Sequence, residues 1–231
     1  MSLTNILVAI NVVAFLWQMT TFGGPDYDHG YLYGPDVVQH GQWWRIVTAA
    51  FLHGSIPHVL LNMVALFQVG NIVESMFGKP RFALLYAISI VGSGLAVLYF
   101  NYGVPTLGAS GAIFGLFGAL VAVGLRLGPR GRALIAQVLP VIVINLLFTF
   151  SVPGISAAAH VGGLITGFLA GLLLYMVPGR RQYAYAYAPA NDPGARTIEQ
   201  RPDVETIEQP PHAGPHEEAG APPLEVRDPQ E

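Results

Sequence analysis

Ser110 and His160 are the two side chains of this chain that could together activate a nucleophile. Ser110 lies in the segment Gly108-Ala109-Ser110-Gly111, and His160 begins another apolar segment about fifty residues later. A serine hydroxyl is a weak nucleophile until a neighbouring base takes its proton, and neutral imidazole is the usual base near pH 7. These residues therefore predict a Ser110 nucleophile with His160 as its base. Taken singly, Ser110 could instead be a helix cap and His160 a ligand or proton-relay histidine.

A second polar group lies upstream, where His58 and Asn62 are four residues apart. At this spacing both side chains lie on one face of a helix and can point at the same spot. Acyl transfer needs hydrogen-bond donors for the negative charge that develops on the carbonyl oxygen. We therefore expect His58, Asn62 and the Ser110 backbone N–H to form an oxyanion hole. An interhelical hydrogen-bond pair is the alternative interpretation of His58 and Asn62.

The elements that must position these residues are membrane helices. Mean hydropathy is +0.49, with 52% hydrophobic and 11% charged residues, which is typical of a membrane protein. Spans of about 20 apolar residues cross a bilayer as helices, and their continuous apolar character argues against a barrel. The predicted spans are residues 3–21, 57–77, 82–102, 110–125, 133–152 and 157–177.

Basic residues in alternate connections predict the orientation, because Lys and Arg concentrate on the cytoplasmic side. They follow the second, fourth and sixth spans, and Arg45 after the first span is the exception. Both termini should be cytoplasmic, so the beginnings of spans two, four and six share the outer leaflet. His58, Asn62, Ser110 and His160 would then lie at one depth. The first span lacks a basic leader and a small-residue cleavage site, which favours a retained helix.

Small residues on spans four and six predict close helix packing. Glycines repeat along both spans, among them Gly111 with Gly115 and Gly163 with Gly167, and such faces let two helices approach closely. That contact would bring His160 to Ser110, although ordinary packing in a channel or transporter uses the same pattern. No Asp or Glu lies near the outer ends of the helices, so a dyad is expected. Phe114, one turn beyond Ser110, is placed to stack against His160.

These residues also resemble a known family. Trp44-Arg45, His53, the His58-Val-Leu-Leu-Asn62 pattern, Gly108-Ala109-Ser110-Gly111 and Ala159-His160-Val-Gly-Gly163 with Gly167 are similar to the motifs of the rhomboid intramembrane proteases, in that family's order. The resemblance covers roughly residues 1–178. It implies an all-α membrane protein with a six-transmembrane-helix rhomboid-like bundle. It assigns catalysis to Ser110 and His160, and the oxyanion hole to His58, Asn62 and Ser110.

The resemblance further implies cleavage of single-span or other membrane-anchored proteins within or near their transmembrane segments. Substrates would enter laterally, with small residues at the scissile bond and a helix that can unwind. Phe114 replaces a tyrosine of some relatives, and Gly108, Gly111, Gly163 and Gly167 support the site. The alternative is a catalytically inactive rhomboid-like protein that binds transmembrane helices. A solute transporter is disfavoured, because no inverted repeat is visible.

The remaining sequence features predict a separate tail and argue against other kinds of catalytic chemistry. Residues 179–231 are rich in Pro and Glu and predict a disordered cytoplasmic tail, leaving residues 1–178 as the membrane domain. Zero Cys and no H-E-x-x-H motif exclude thiol and zincin chemistry. No metal, cofactor or nucleic-acid partner is expected. We expect Arg45 to hold the first loop and His53 to be structural. A prokaryotic cytoplasmic membrane fits best, with an organelle left open.

Overall fold

A computed structural model describes residues 1–22 and 30–175. Six long helices in these ranges match the six predicted spans in order and confirm a helical membrane bundle. They are α1 (Leu3–Phe22), α4 (Ile56–Phe77), α5 (Lys79–Phe100), α6 (Ser110–Arg126), α7 (Arg132–Ser151) and α8 (Ala157–Leu174). Two short helices, α2 (Gly34–Val38) and α3 (Arg45–Thr48), lie between α1 and α4. Single 3-10 turns cover Ala49–Phe51 and Gly128–Gly131.

α5 begins at Lys79, three residues before the predicted residue 82. Gly78, at φ +73°, ends α4 and starts the reversal. Pro80 then occupies the first turn of α5, where its missing N–H costs no intrahelical hydrogen bond. The basic residues Lys79 and Arg81 therefore lie inside the helix. The sixth predicted span extended to residue 177, and its last two residues lie outside the described residues.

Five described helices are long and apolar enough to cross a membrane, namely α1, α4, α5, α7 and α8. α6 is also apolar but has only 17 residues. Twelve of those 17 residues are buried, because α6 packs against α4, α5, α7 and α8. α6 is therefore the central helix of the bundle. In contrast, α7 buries only Val138, Ile142 and Thr149 and lies at the periphery.

α6 and α8 are parallel neighbours in a fixed register. A Cβ added at Gly163 would overlap the Gly111 carbonyl oxygen, and one at Gly167 would overlap the Gly115 carbonyl oxygen. One turn further, Gly171 lies against Ala119. Because each step advances both helices by four residues, the two helices run in the same direction. The residues that begin α6 and α8 consequently lie at one end of the bundle.

α1 is attached to the far end of α4 by a buried carboxylate. Glu74 accepts hydrogen bonds from the backbone N–H groups of Leu3 at 2.8 Å and Thr4 at 2.7 Å, and from the Thr4 hydroxyl at 2.7 Å. The first N–H groups of a helix have no intrahelical partner, so Glu74 caps the start of α1. Because Glu74 lies near the end of α4 and His58 near its beginning, this acid is remote from the candidate site.

Candidate active site

Ser110 and His160, fifty residues apart in the chain, meet at the beginnings of α6 and α8. The Ser110 Oγ atom is 2.7 Å from His160 Nε2, which is hydrogen-bonding distance. Ser110 is the first residue of α6 and His160 lies in the first turn of α8. His160 is 8% exposed, so its ring is positioned by protein contacts. This geometry allows a hydroxyl proton to pass directly to the imidazole.

The Phe114 ring covers one face of the His160 imidazole. The two ring centroids are 4.3 Å apart and the planes differ by 15°. Phe114 is one turn after Ser110 on α6, so the helix that carries the hydroxyl also carries this ring. Stacked rings of this kind hold a side chain in orientation in addition to burying its surface. The structure therefore brings the predicted packing residue against the predicted base.

Thr149, on α7, contacts the other nitrogen of His160 and was not among the predicted site residues. Its Oγ1 atom is 2.7 Å from His160 Nδ1 and 2.7 Å from the Asn145 carbonyl oxygen. The predicted topology could have pointed to Thr149, because the fifth span ends toward the outer leaflet and so puts Thr149 at the depth of Ser110. A threonine near a helix end, however, ordinarily bonds its own helix, so its type alone did not single it out.

The His58 ring lies against Gly108, two residues before Ser110. A Cβ added at Gly108 would lie 2.8 Å from His58 Nε2 and 3.8 Å from Ser110 Oγ. Gly108 also has φ +124°, a conformation that side chains other than glycine rarely adopt. Glycine is therefore required here on two grounds. It lets the His58 ring lie beside the segment that leads into Ser110.

Asn62 lies one turn beyond His58 on α4 and lines the same cavity as Ser110. Its Nδ2 atom donates to the His58 carbonyl oxygen at 2.9 Å, and the side chain is buried. Both donors of an amide group can be used at once. One N–H of Asn62 is thus occupied by its own helix, which leaves the second for a ligand in the cavity.

The segment before Ser110 is held by the first loop. Leu32 and Thr106 exchange backbone hydrogen bonds of 2.8 and 2.9 Å, and the Gly108 N–H donates to Ala49 at 2.8 Å. Extended backbone at membrane depth needs such partners, because lipid offers none. The segment that leads into α6 is therefore stabilised by pairing with another loop, a contact that the sequence pattern did not reveal.

A cavity of about 930 Å³ connects these side chains. Ser110, His160, His58 and Asn62 all line it, together with apolar residues of α4 and α7. Its size is that of a ligand site with a few convergent polar groups in an apolar lining. Among the described residues, no three histidine, aspartate or glutamate side chains form a group that could hold a metal ion.

Comparison with protein families identifies the chain. The Rhomboid domain matches residues 40–177, which include every candidate site residue. The chain belongs to the rhomboid family. Among its relatives, it is 36% identical over 176 residues to the rhomboid protease GluP of Bacillus subtilis (strain 168), covering 74% of this chain and 34% of that protein.

Two other relatives are similar to this chain over comparable lengths. RHOMBOID-like protein 4 of Arabidopsis thaliana is 33% identical over 163 residues, or 69% of this chain and 40% of that protein. The putative rhomboid protease YdcA of Bacillus subtilis (strain 168) is 36% identical over 172 residues, or 72% of this chain and 79% of that protein. This rhomboid family member thus spans about a third of GluP and two fifths of RHOMBOID-like protein 4.

Arg45 organises the loop between α1 and α4. Its guanidinium donates to the Tyr31 carbonyl oxygen at 3.0 Å and pairs with Asp36 at 3.3 Å. It also lies 5.1 and 5.0 Å from the ring centroids of Tyr31 and Trp44. Arg45 therefore ties down the loop, as expected. Trp43 and Trp44, next to Arg45 in the chain, are about half exposed.

His53 is fully buried beneath the site and does not contact Ser110. Its backbone N–H donates to Gln18 Oε1 at 3.1 Å, which links this loop to α1. Its ring lies edge-on to His58, with centroids 5.0 Å apart. His53 therefore supports the His58 ring from behind, which agrees with the structural role expected for it.

Proposed function

We propose that this protein is an intramembrane serine endopeptidase that cleaves membrane-anchored proteins within or near their transmembrane segments. The observation that carries the proposal is the 2.7 Å contact between Ser110 Oγ and His160 Nε2 inside the cavity. Nucleophile and base within hydrogen-bond reach are the geometric requirement for acyl transfer. The names of GluP and YdcA as rhomboid proteases support the same assignment.

The reaction would proceed in two halves. Ser110 Oγ attacks the scissile carbonyl carbon while His160 Nε2 takes the hydroxyl proton, and the same proton then passes to the leaving amine. Water next attacks the acyl-serine ester and gives a proton to His160, which passes it to Ser110 Oγ as the ester bond breaks and the carboxyl product leaves. Hydrogen bonds from His58, Asn62 and the Ser110 backbone N–H would stabilise the negative oxygen in both halves. The chemistry requires no cofactor.

Substrates of this proposed protease are single-span or other membrane proteins. A transmembrane helix shields its carbonyl groups by hydrogen bonding, so the bound segment must be locally extended beside Ser110. The cavity between α4 and α7 offers polar groups for such a segment, including Gln68, Gln137 and Asn145. These groups can receive backbone atoms that lose their helical partners.

The proposal also covers the orientation of the protein in the membrane and the division of the chain into a membrane domain and a tail. Both termini would be cytoplasmic, with the site toward the outer leaflet, and residues 1–178 would form the membrane domain. The tail, residues 179–231, lies outside the described residues, and its predicted disorder stays a prediction. The location in a prokaryotic cytoplasmic membrane also stays a prediction. Reporter fusions at each terminus and in the connection after α5 test the orientation directly.

The second candidate is a rhomboid-like protein that binds transmembrane helices without cutting them. Intact Ser110 and His160 at hydrogen-bonding distance favour the protease. The test is incubation of the purified full chain, in liposomes, with a panel of single-span substrates. Cleavage by the wild type that is lost in Ser110→Ala, with substrate binding retained, supports the protease. Binding without cleavage by the wild type would favour the second candidate.

A fluorophosphonate probe tests the dyad without any substrate. The wild type should be labelled at Ser110, and His160→Ala should block labelling because the hydroxyl loses its base. Ser89→Ala is the matched control, since Ser89 is a buried serine whose hydroxyl bonds the Leu85 carbonyl oxygen of its own helix. Undiminished labelling in His160→Ala would remove His160 from the dyad.

A further inference from the structure

We propose that Thr149 is a positioning residue that holds the Nδ1 proton of His160 and thereby leaves Nε2 free to act as the base. The proposal rests on the proposed protease function. Three contacts of 2.7 Å carry it: Ser110 Oγ to His160 Nε2, His160 Nδ1 to Thr149 Oγ1, and Thr149 Oγ1 to the Asn145 carbonyl oxygen. They form one continuous chain from α6 through α8 to α7.

The direction of this chain follows from counting protons. A carbonyl oxygen only accepts, and the Thr149 hydroxyl has one proton. If that proton is donated to the Asn145 carbonyl, Thr149 Oγ1 must accept from His160, and the imidazole proton lies on Nδ1. Neutral imidazole carries one N–H, so Nε2 then holds a lone pair directed at Ser110. All three contacts are satisfied at once in this arrangement.

The opposite arrangement would disable the base. If the Thr149 hydroxyl donated to Nδ1, the imidazole proton would lie on Nε2, and Nε2 could then not accept the proton of Ser110. It would also leave a 2.7 Å contact between two acceptors, Thr149 Oγ1 and the Asn145 carbonyl oxygen. The Asn145 carbonyl therefore selects the productive tautomer of His160, and the threonine hydroxyl transmits that selection.

Burial makes the selection effective. Thr149 is 3% exposed and His160 is 8% exposed, so water has little access to replace the hydroxyl. A polar group buried without a partner is costly, and this favours the arrangement in which every atom is paired. Thr149 is also the one polar residue among the three that α7 buries. Its burial at a peripheral helix is explained by the contact with His160.

Thr149 also suits the charged state of the base. After His160 has taken the Ser110 proton, both ring nitrogens carry hydrogen, and Nδ1–H continues to donate to Thr149 Oγ1. A carboxylate would interact more strongly with this cation but is expensive to bury in a membrane. A neutral hydroxyl polarised by a helix carbonyl avoids that cost.

Thr149→Val tests the proposal, because valine keeps the branched shape and removes the hydroxyl. We expect kcat and the rate of fluorophosphonate labelling to fall about tenfold, the usual order for one buried neutral hydrogen bond, with KM nearly unchanged. Thr149→Ser should recover most of the rate. The matched control is Thr166→Val on α8, because the Thr166 hydroxyl bonds the Gly162 and Gly163 carbonyls of its own helix. It should retain wild-type kcat.

Nitrogen-15 NMR of histidine-labelled wild-type protein provides a readout that does not depend on activity or on any Thr149 variant. The His160 signals, assigned by their loss in His160→Ala, should show the neutral Nδ1–H tautomer. Thr149→Val should shift the population toward Nε2–H, whereas Thr166→Val should not. A wild-type ring with its proton on Nε2 would overturn the role of Thr149, even if Ser110 cleaves substrate. A wild type that neither cleaves substrate nor is labelled by the fluorophosphonate probe would instead refute the proposed protease function.

Discussion

Gly167 of α8 lies directly against the backbone of Gly115 on α6. A Cβ at Gly167 would overlap the Gly115 carbonyl oxygen and approach its Cα, and both partners are backbone atoms that cannot rotate away. The same relation joins Gly163 to Gly111 one turn earlier. Because Ser110 precedes Gly111 directly and His160 precedes Gly163 by less than one turn, this helix contact sets the distance within the candidate dyad.

Gly167→Ala should therefore lower both stability and activity. The added methyl group forces α6 and α8 apart, and overpacking of this kind costs about 1–3 kcal/mol. A displacement of about 1 Å between reacting groups can cost about a hundredfold in rate. Melting temperature in detergent and cleavage rate should fall together. Gly103→Ala is the control, since nothing lies within 4 Å of a Cβ at that position.

Retention of wild-type melting temperature and cleavage rate by Gly167→Ala would contradict the close contact between α6 and α8. A fall in melting temperature without any change in rate would show that helix packing and the Ser110–His160 distance are independent. Gly103→Ala should change neither quantity by more than the experimental error.

Asn62→Ala should slow turnover without abolishing it. Loss of one oxyanion donor typically lowers kcat by about 10² to 10³, and His58 and the Ser110 N–H remain. KM should be comparatively unchanged, because the lost bond strengthens only as charge develops. Asn62→Asp should be slower still, since it places an acceptor against the oxyanion. The measurements are kcat, KM and melting temperature for both variants.

Asn71→Ala is the matched control for Asn62. Asn71 is on the same helix, and its Nδ2 atom donates to the Phe67 carbonyl oxygen as Asn62 does to His58. It therefore loses the same kind of intrahelical bond away from Ser110. Equal kcat in Asn62→Ala and Asn71→Ala would end the oxyanion assignment. A structural asparagine would lower melting temperature and substrate binding together.

His53 should make stability depend on pH. Burial, with a smaller contribution from the neighbouring His58 ring, lowers the pKa of His53 to about 4 from 6.5. The unfolded chain therefore binds a proton at higher pH than the folded protein does, and stability is fully present above pH 6.5. It should be lost progressively as pH falls from about 6.5 towards 4, by up to about 3 kcal/mol.

His53→Asn should flatten the dependence of melting temperature on pH between 6.5 and 4, even if its melting temperature is lower throughout. His40→Gln is the control, because the side chain of His40 is 61% exposed and lies away from this buried cluster. An unchanged pH profile in His53→Asn would show that other groups account for the acid sensitivity.

Several features of the fold were predictable from local pattern. Continuous apolar stretches predicted six helices, because a membrane span must satisfy its backbone internally. The alternation of basic connections put Ser110 and His160 at a common depth before any contact was known. The spacing of His58 and Asn62, one helical turn, predicted a shared face, and the resemblance assigned the same oxyanion role to both. The family itself is shown, whereas the roles of these residues stay proposals.

Other features required the tertiary structure. The predicted start of α5 was three residues late, because Pro80 marks a first turn as readily as a break. The pairing of Leu32 with Thr106 joins two loops that show no common pattern in the sequence. Thr149 was missed because its bond to Asn145 satisfies the local expectation for a helical threonine.

The sequence by itself determined which residues are apolar enough to span a bilayer and which reactive groups begin those spans. These properties depend on side-chain chemistry and on helical periodicity, both of which are local. Only the tertiary structure decided that α6 and α8 are in backbone contact, that Phe114 stacks on His160, and that Thr149 meets its second nitrogen. Such contacts join residues of different helices, and their distances depend on how the whole bundle packs.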